Sequence, residues 1–210
     1  KMIIIKHRIN TLKDLENVPK EQGIETDVRY HNNDLILHHD PFNHHLNPPE
    51  KLDTLLDHWR NEGPIILNIK TEGIEDKCIQ LMQRYNIKNW FFLDLSMPYF
   101  VKYATLADTH TIPGFSSKNL AVRFSEREAL DYALGFKNQA KWIWVDCFSK
   151  LPLTPQSYET LSNAGFRICI VSPELQGHSL AHIPKFREQL THMTIHAVCT
   201  KRPDLWEDTS

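Results

Sequence analysis

The sequence has no long apolar segment and no cluster of basic residues. No apolar run reaches the length of a membrane-spanning helix, and no signal peptide precedes the apolar residues 2–5, so we expect a protein without a membrane span. The formal net charge of the 210 residues is -2, with both signs spread along the chain. Because no basic tract is interleaved with aromatic residues, we expect no nucleic-acid partner.

Cysteine is also scarce, at four residues. Cys78, Cys147, Cys169 and Cys199 are far apart in sequence, and three of them fall in apolar, strand-like runs. This spacing is typical of buried reduced thiols rather than of a disulfide framework or a zinc site. The pattern is consistent with a cytoplasmic protein.

Short apolar runs alternate with helical segments along the whole chain. The runs predict strands at residues 2–5, 23–29, 65–67, 90–93, 120–123, 142–145, 166–171 and 194–199. Strand–helix units of about 25 residues imply right-handed crossovers and a parallel sheet, and about eight units fit a compact (β/α)8 barrel, a TIM barrel. A doubly wound open sheet is the competing fold, but it needs a glycine-rich first turn, and His7-Arg8-Ile9-Asn10 is not one.

Local signals also place several helices and one weak strand. Asn10-Thr11 is expected to cap a helix running to about Lys20, and Ser125 to Glu128 has the pattern of a capping box at a helix start. Thr154-Pro155 is expected to begin another helix. Residues 110–113 are weak strand material. Further helices are predicted at 51–60, 74–85, 97–107 and 182–190.

The stretch Gly23 to Arg29 alternates polar and apolar side chains. Successive side chains of a strand face opposite ways, so Glu25, Asp27 and Arg29 share one face. Two carboxylates on one face suit a hard cation such as Mg²⁺ or Ca²⁺. Residues 31–34 then turn the chain back into a short strand that brings His39 nearby. The pattern fits either a phosphodiester-cleaving site or a half-exposed strand with solvated carboxylates.

In a barrel, the carboxyl ends of all strands meet at one mouth, where active sites lie. The polar residues predicted there are His7, Arg8, Glu25, Asp27, His39, Asn68, Lys70, Asp94, Arg123, Asp146 and Glu174. Taken singly, Asp94, Asp146 and Glu174 are better explained as caps of the following helices, and Arg123 as a salt-bridge partner. The whole set, gathered from distant parts of the sequence, indicates a catalytic mouth.

These residues resemble the glycerophosphodiester phosphodiesterase family, within the phospholipase-C-like phosphodiesterase barrels. The matching pieces are His7-Arg8, Glu25-Thr26-Asp27, His39-Asp40, Asn68-Ile69-Lys70 and residues 200–205. Their order and strand positions agree over nearly the whole chain. The resemblance implies a single TIM-barrel phosphodiesterase-like domain over residues 1–210 that hydrolyses a small glycerol or polyol phosphodiester in lipid metabolism.

The resemblance also implies roles for individual residues. His7 and His39 would be the acid–base pair that flanks the scissile phosphate, with either one as the base. Arg8 and Lys70 would bind substrate and neutralise the charge that builds on the phosphate. In this family an adjacent substrate hydroxyl attacks first, giving a cyclic phosphate that water then opens.

Glu25, Asp27 and Asn68 occupy the positions of the family's metal ligands. They would hold one divalent cation, Mg²⁺ or Ca²⁺. The family has a carboxylate where Asn68 stands, so the site has one negative charge fewer and weaker binding is expected. Asp94 or a water is the candidate replacement for the lost ligand.

Three further departures mark a divergent member of the family. Ile9 replaces the usual glycine after His7-Arg8, and the loop after His39 is too short for the small inserted domain found in many members. Residues 171–174 also differ from the usual pattern. Two alternatives remain open: a lyase-like relative that stops at the cyclic phosphate, and a non-catalytic barrel that binds phosphate esters through a decayed metal site.

Overall fold

Eight parallel strands form a nearly closed barrel in the computed structural model, which describes residues 1–42 and 47–207. The strands are β1 Ile3–Lys6, β2 Gly23–His31, β3 Asp34–Leu37, β4 Ile65–Ile69, β5 Trp90–Leu93, β6 Ala121–Phe124, β7 Trp142–Val145, β8 Arg167–Val171 and β9 Ala197–Thr200. Their order is β5-β4-β2-β1-β9-β8-β7-β6, with β3 paired to β2 outside the ring. One isolated parallel bridge, between Phe92 and Leu120, joins β5 to β6. The predicted TIM barrel is confirmed.

Helices alternate with these strands. They are α1 Leu12–Leu15, α2 Leu52–His58, α3 Glu75–Arg84, α4 Met97–Asp108, α5 Leu130–Leu134, α6 Pro155–Asn163 and α7 His182–Gln189. Short 3₁₀ helices cover Ser117–Asn119, Pro173–Gln176 and Pro203–Leu205. Within the described residues, every helix is too short or too polar to cross a bilayer.

The core lies within the barrel and between the barrel and its helices. Every residue of β4, β5 and β7 is buried, as continuous apolar runs in a parallel sheet require. All four cysteines are buried and free, as predicted. At the starts of β2 and β4, Gly23 and Gly63 pack against main chain so closely that a Cβ would come within 2.4 Å of Pro64 O and 2.2 Å of Gly23 N, respectively.

A tight hairpin connects β2 and β3. Asn32 and Asn33 both have positive φ, at 47° and 69°, as a two-residue type I′ turn requires. The turn fixes an antiparallel register in which Val28 pairs with Leu37 and His31 with Asp34. The chain therefore leaves β3 beside the middle of β2, which confirms the predicted return of the chain toward the site.

The helix predicted to run from Thr11 to Lys20 is wrong in length. Thr11 does cap it, accepting a hydrogen bond from the Asp14 N–H, but α1 is a single turn. Pro19 disfavours a helical conformation at Val18, and Val18 instead turns into the core.

Two other local predictions are also wrong. The capping box at Ser125 to Glu128 does not form, and α5 begins only at Leu130. The Glu128 main chain pairs with that of Ser125, but the Glu128 side chain accepts a hydrogen bond from Arg123 Nε at 2.6 Å instead of one from the Ser125 N–H. Residues 110–113 form a turn with bends, not a strand, because His110 has a left-handed φ of 52° directly after α4.

Candidate active site

A cavity of about 220 Å³ lies at the carboxyl ends of the strands. Six of the seven predicted site residues line it: His7, Arg8, Glu25, His39, Asn68 and Lys70. Its opposite wall includes Asp94, Arg123, Asp146 and Gln176. A larger cavity, of about 610 Å³, lies at the other end of the barrel beside Met2 and Trp206, far from these strand ends.

His7 directly follows β1, and its N–H donates to Thr200 O at 3.1 Å. The ring is largely buried, and its Nε2 lies 3.7 Å from Glu25 Oε2. Burial, and then the nearby charge of Arg8, lowers the pKa of His7 from its usual 6.5 to about 3. The imidazole is therefore neutral at physiological pH, and its buried Nδ1 has no hydrogen-bond partner within the described residues.

Arg8 adopts a left-handed backbone conformation, with φ of 56°. This conformation directs its N–H at Glu25 Oε2, at 2.7 Å, while its half-exposed guanidinium lies 3.8 Å from Asp27 Oδ2. Left-handed φ at a non-glycine residue is strained and is often found at functional sites. Ile9, at the family's glycine position, is buried in the core.

Glu25 is 1 % exposed and bonds to both neighbouring strands. Its Oε2 accepts from the Arg8 N–H, and its Oε1 accepts from Asn68 Nδ2 at 2.9 Å. Burial, and then the charge of Asp27, raises the pKa of Glu25 from 4.5 to about 7. A carboxyl with this pKa gives up its proton near neutral pH.

Asp27 is also 1 % exposed, but it lies beneath the cavity and not in its lining. Asn10 holds it: the Asn10 side chain accepts from the Asp27 N–H at 2.9 Å and donates to Asp27 Oδ2 at 2.9 Å. Sequence reasoning treated Asn10 as part of a helix cap and missed this role. Its place three residues after His7, in the first loop of the mouth, was the available signal.

Two oxygens of the candidate metal ligands accept no hydrogen bond within the described residues. Asp27 Oδ1 and Asn68 Oδ1 are buried without hydrogen-bond partners in the described part of the chain, and the two residues are paired in register on β2 and β4. Over residues 1–42 and 47–207, no group of three or more His, Cys, Asp or Glu side chains could hold a metal ion. Carboxylate and amide oxygens suit a hard cation. The residues therefore fit one such ion, with less negative charge than three carboxylates would supply.

His39 lies in the segment that follows β3. Its Nδ1 lies 2.9 Å from Asp40 Oδ1, and the ring is 39 % exposed at the edge of the cavity. The hydrogen bond from His39 lowers the pKa of Asp40, so the carboxylate stays charged and can hold a proton on Nδ1 of the ring. Residues 43–46 of the following loop lie outside the described residues.

The Arg29 side chain binds the main chain of the His39 segment and also that of Lys70 at the end of β4. It donates from Nε to His38 O at 3.1 Å, from Nη2 to His39 O at 2.7 Å and from Nη1 to Lys70 O at 3.5 Å. The sequence placed Arg29 on the face of Glu25 and Asp27 but gave it no role in the site.

Lys70 follows β4 and faces the cavity, as its alternation with Asn68 predicts. Its Nζ lies 3.6 Å from Asp27 Oδ1 and 4.0 Å from Asp94 Oδ2. Both distances exceed those of direct hydrogen bonds, so the ammonium can still approach an anionic ligand.

Arg123 organises the opposite wall. Its guanidinium donates to Glu128 at 2.6 Å and to Asp94 and Asp146 at 2.7 Å each. Gln176 adds a hydrogen bond to Asp146 at 2.8 Å. The prediction that Arg123 is a salt-bridge partner is confirmed. Arg123 binds Asp94 Oδ1, and Asp94 Oδ2 lies 4.0 Å from Lys70 Nζ, so Asp94 as the replacement for the carboxylate missing at position 68 stays a prediction.

The prediction that Asp94, Asp146 and Glu174 cap helices is wrong. Asp94 and Asp146 bind Arg123 across neighbouring strands. Glu174 joins the ends of β8 and β9, where it accepts from the Thr200 hydroxyl at 2.6 Å and from the Lys201 N–H at 3.0 Å. Contacts between neighbouring strands have replaced the local caps.

The structure resembles solved phosphodiesterases. A glycerophosphodiester phosphodiesterase from Agrobacterium tumefaciens matches with a TM-score of 0.71 and 18% identity, over 98% of this chain and 99% of that one. A glycerophosphoryl diester phosphodiesterase from Parabacteroides distasonis matches with a TM-score of 0.66 and 14% identity, over 97% and 84% of the two chains. No protein-family model and no curated protein matches the sequence. At these identities the likeness establishes the shared barrel fold.

Proposed function

We propose that this protein is a phosphoric diester hydrolase of the glycerophosphodiester phosphodiesterase type, acting on a small glycerol or polyol phosphodiester. One observation carries the proposal: two histidines and two cations, His7, His39, Arg8 and Lys70, come from three separate parts of the chain to line one cavity. An acid–base pair beside positive charge is the arrangement that phosphodiester cleavage needs. The shared fold of the two solved phosphodiesterases supports it.

The surroundings of the two histidines favour different roles. Burial keeps His7 neutral, which is the form that can take the proton of the attacking oxygen, and the negative charge of a bound phosphate would raise its low pKa toward the range that a base needs. Asp40 Oδ1 lies 2.9 Å from His39 Nδ1 and orients the ring at the edge of the cavity, so we assign His39 to protonate the leaving alkoxide. Attack by an adjacent substrate hydroxyl would release the alcohol and a cyclic phosphate, and a water activated by the same pair would then open the ring.

Arg8 and Lys70 would bind the phosphate oxygens. Their charged ends stand 3.8 and 3.6 Å from Asp27, which leaves both able to move toward an anion. Their charge would be most effective in the transition state, where negative charge on the phosphate is greatest.

Glu25, Asp27 and Asn68 would hold one Mg²⁺ or Ca²⁺ ion. Such an ion would supply Lewis-acid stabilisation of the phosphate charge. The Asn10 side chain would keep Asp27 in place for this purpose, because it binds both the main chain and a carboxylate oxygen of Asp27.

The activity test is hydrolysis of glycerophosphocholine and bis(p-nitrophenyl) phosphate with Mg²⁺, Ca²⁺ or EDTA. His39→Ala is expected to lower kcat by about 10²–10⁴-fold. The control is His58→Ala, since His58 is exposed on α2 and makes one local hydrogen bond to Thr54 O. Phosphorus NMR of the products separates a hydrolase from a lyase that stops at the cyclic phosphate. Binding without turnover by wild type, unchanged in His39→Ala, would contradict the proposal.

The metal site is tested by melting temperature, independently of turnover. Asn68→Glu is expected to tighten Mg²⁺ or Ca²⁺ binding at least about tenfold by restoring a third carboxylate. Asn47→Glu adds the same charge at an exposed position and controls for surface effects. Equal metal-dependent shifts in wild type, Asn68→Glu and Asn47→Glu would contradict the assignment of these ligands.

A further inference from the structure

We propose that Arg29 is a positioning residue that holds His39 and Lys70 at a fixed separation across the cavity. The proposal rests on the proposed function, which gives His39 and Lys70 their roles. Arg29 lies in β2, two residues after Asp27, and its guanidinium donates to main-chain carbonyls of His38, His39 and Lys70. One side chain therefore joins two segments that are 31 residues apart and that each carry one functional group.

Both segments leave the sheet beside Arg29. The last ladder bond of the His39 segment runs from the His38 N–H to Asp27 O, at 3.1 Å. The last main-chain bond of the β4 end runs from the Lys70 N–H to Val28 O, at 2.9 Å, and the Tyr30 N–H then donates to the Thr71 hydroxyl at 3.3 Å. Beyond these two bonds, the carbonyls of residues 38, 39 and 70 turn to the Arg29 side chain. After the main-chain bonds to β2 end, the Arg29 side chain continues to hold the segment after β3 on one side of β2 and the segment after β4 on the other.

The contacts of Arg29 point to a geometric role. Throughout the described ranges, no carboxylate lies within ion-pair distance of its guanidinium, although carboxylates are the usual partners of buried arginine. Its planar fork has five N–H donors in fixed directions, which suits carbonyls arriving from two sides. Lysine keeps the charge but not the fork, so Arg29→Lys separates the two contributions.

The consequence for catalysis follows from distance. A displacement of about 1 Å at a reacting group can lower the rate by about 10²-fold. Loss of the Arg29 guanidinium removes the hydrogen bonds to the main chain of His38 and His39, at one edge of the cavity. It also removes the hydrogen bond to the main chain of Lys70, at the end of β4. Arg29→Lys is therefore expected to lower kcat by about 10–100-fold and to change KM less, since the cavity and its charges are kept.

The test compares Arg29→Lys and Arg29→Gln with Arg60→Lys. Arg60 also donates to carbonyls, those of Asp57 and Trp59, but it lies at the end of α2 away from the cavity. Three quantities are measured in each variant: kcat and KM, the NMR titration of the His39 ring, and amide hydrogen exchange over residues 38–40 and 70–71. The proposal expects a lower kcat, a shifted His39 titration and faster exchange at these amides in both Arg29 variants, with Arg60→Lys like wild type.

The readouts separate this proposal from the proposed function. If wild type hydrolyses no phosphodiester, the titration and exchange measurements still decide whether Arg29 holds the two segments. Wild-type exchange and an unchanged His39 titration in Arg29→Lys and Arg29→Gln would overturn the positioning role, whatever the activity. An active wild type with a kcat for Arg29→Lys within twofold of its own value would also overturn it.

Discussion

The two walls of the cavity treat their polar groups differently. On the wall from β1, β2 and β4, His7 Nδ1 and Asn68 Oδ1 are buried without hydrogen-bond partners in the described residues, and the same holds for Asp27 Oδ1 beneath that wall. On the wall from β5 to β8, Arg123 donates to three carboxylates, although Glu128 Oε2 there also has no partner. Unsatisfied buried polar atoms are costly and need an explanation. The three atoms of His7, Asp27 and Asn68 belong to the candidate site residues, and a bound ligand or cation would satisfy them under the proposed function.

Distances between opposite charges show the same contrast. Arg8 and Lys70 stand 3.8 and 3.6 Å from Asp27, whereas Arg123 lies 2.6 to 2.7 Å from its three partners. A difference of about 1 Å separates a loose ion pair from a charge-assisted hydrogen bond. The first wall keeps its cations available to a ligand, and the second uses its cation to hold strands together.

The largest expected effect comes from removing the cation of the second wall. Arg123→Met leaves Asp94, Glu128 and Asp146 close together without a counter-charge, and is expected to lower the free energy of unfolding by about 3–5 kcal/mol. Urea unfolding measures it. Lys70→Met is the matched change on the first wall, and should cost about 1 kcal/mol because its ion pairs are long. Equal losses in the two variants would contradict the contrast between the walls.

A smaller, pH-dependent effect is expected at Glu25. Because its pKa rises from 4.5 to about 7 on folding, the folded protein binds more protons than the unfolded chain between these pH values. This group therefore lowers stability as pH rises through that window. Glu25→Gln is expected to be more stable than wild type by about 3 kcal/mol at pH 8 and nearly equal to it at pH 4.5, in EDTA.

Urea unfolding at both pH values checks the Glu25 prediction. Glu16→Gln, at an exposed position after α1, serves as the control and should show no such difference. A Glu25→Gln variant less stable than wild type at pH 8 would contradict the prediction, because it would mean that the charged carboxylate stabilises the fold.

The smallest effect concerns backbone strain. Each wall has one residue in a left-handed backbone conformation. Arg8 and Asp94 have φ of 56° and 59°. Arg8→Gly relieves the strain and removes a half-exposed side chain with one long ion pair, so a gain of about 0.5–1 kcal/mol is expected. Asp94→Gly relieves similar strain but loses the bond to Arg123, so a net loss is expected. Thermal unfolding compares the two, and a loss of stability in Arg8→Gly would contradict the comparison.

Most of the fold was predictable from the sequence because each buried parallel strand is a short apolar run between turn residues, a pattern that can be recognised locally. The strand over 90–93 and the Thr154-Pro155 helix start agree with the structure residue for residue. The errors arise where a distant partner competes with a local pattern. The Glu128 side chain bonds to Arg123 instead of completing the expected capping box, and the Asn10 side chain bonds to Asp27 instead of capping α1.

The residues that line the cavity were also predictable from local pattern, whereas contacts between distant residues at the site were not. Strand ends identified the residues that line the cavity, since alternation and barrel geometry place them at one mouth. Alternation does not tell how deep a side chain lies, so Asp27 was expected in the cavity and lies beneath it. The role of Arg29 depends on three carbonyls from two segments, a contact that no local pattern encodes.

β5 and the start of β6 are joined by a single bridge, whereas the other neighbouring strands of the barrel form ladders, so this is the weakest joint of the ring. At the mouth, the Arg123–Asp94 ion pair spans that joint, and at the lower end Asn119 Nδ2 donates across it to Trp90 O at 2.9 Å. Because the other neighbouring strands of the ring share more ladder bonds, we expect β5 and β6 to separate first when the protein is heated. His7, Glu25 and Lys70 follow β1, β2 and β4, which are continuous neighbours in the ring. β5 and β6 are not among these strands, so the single bridge lies outside the part of the ring that carries these three candidate site residues.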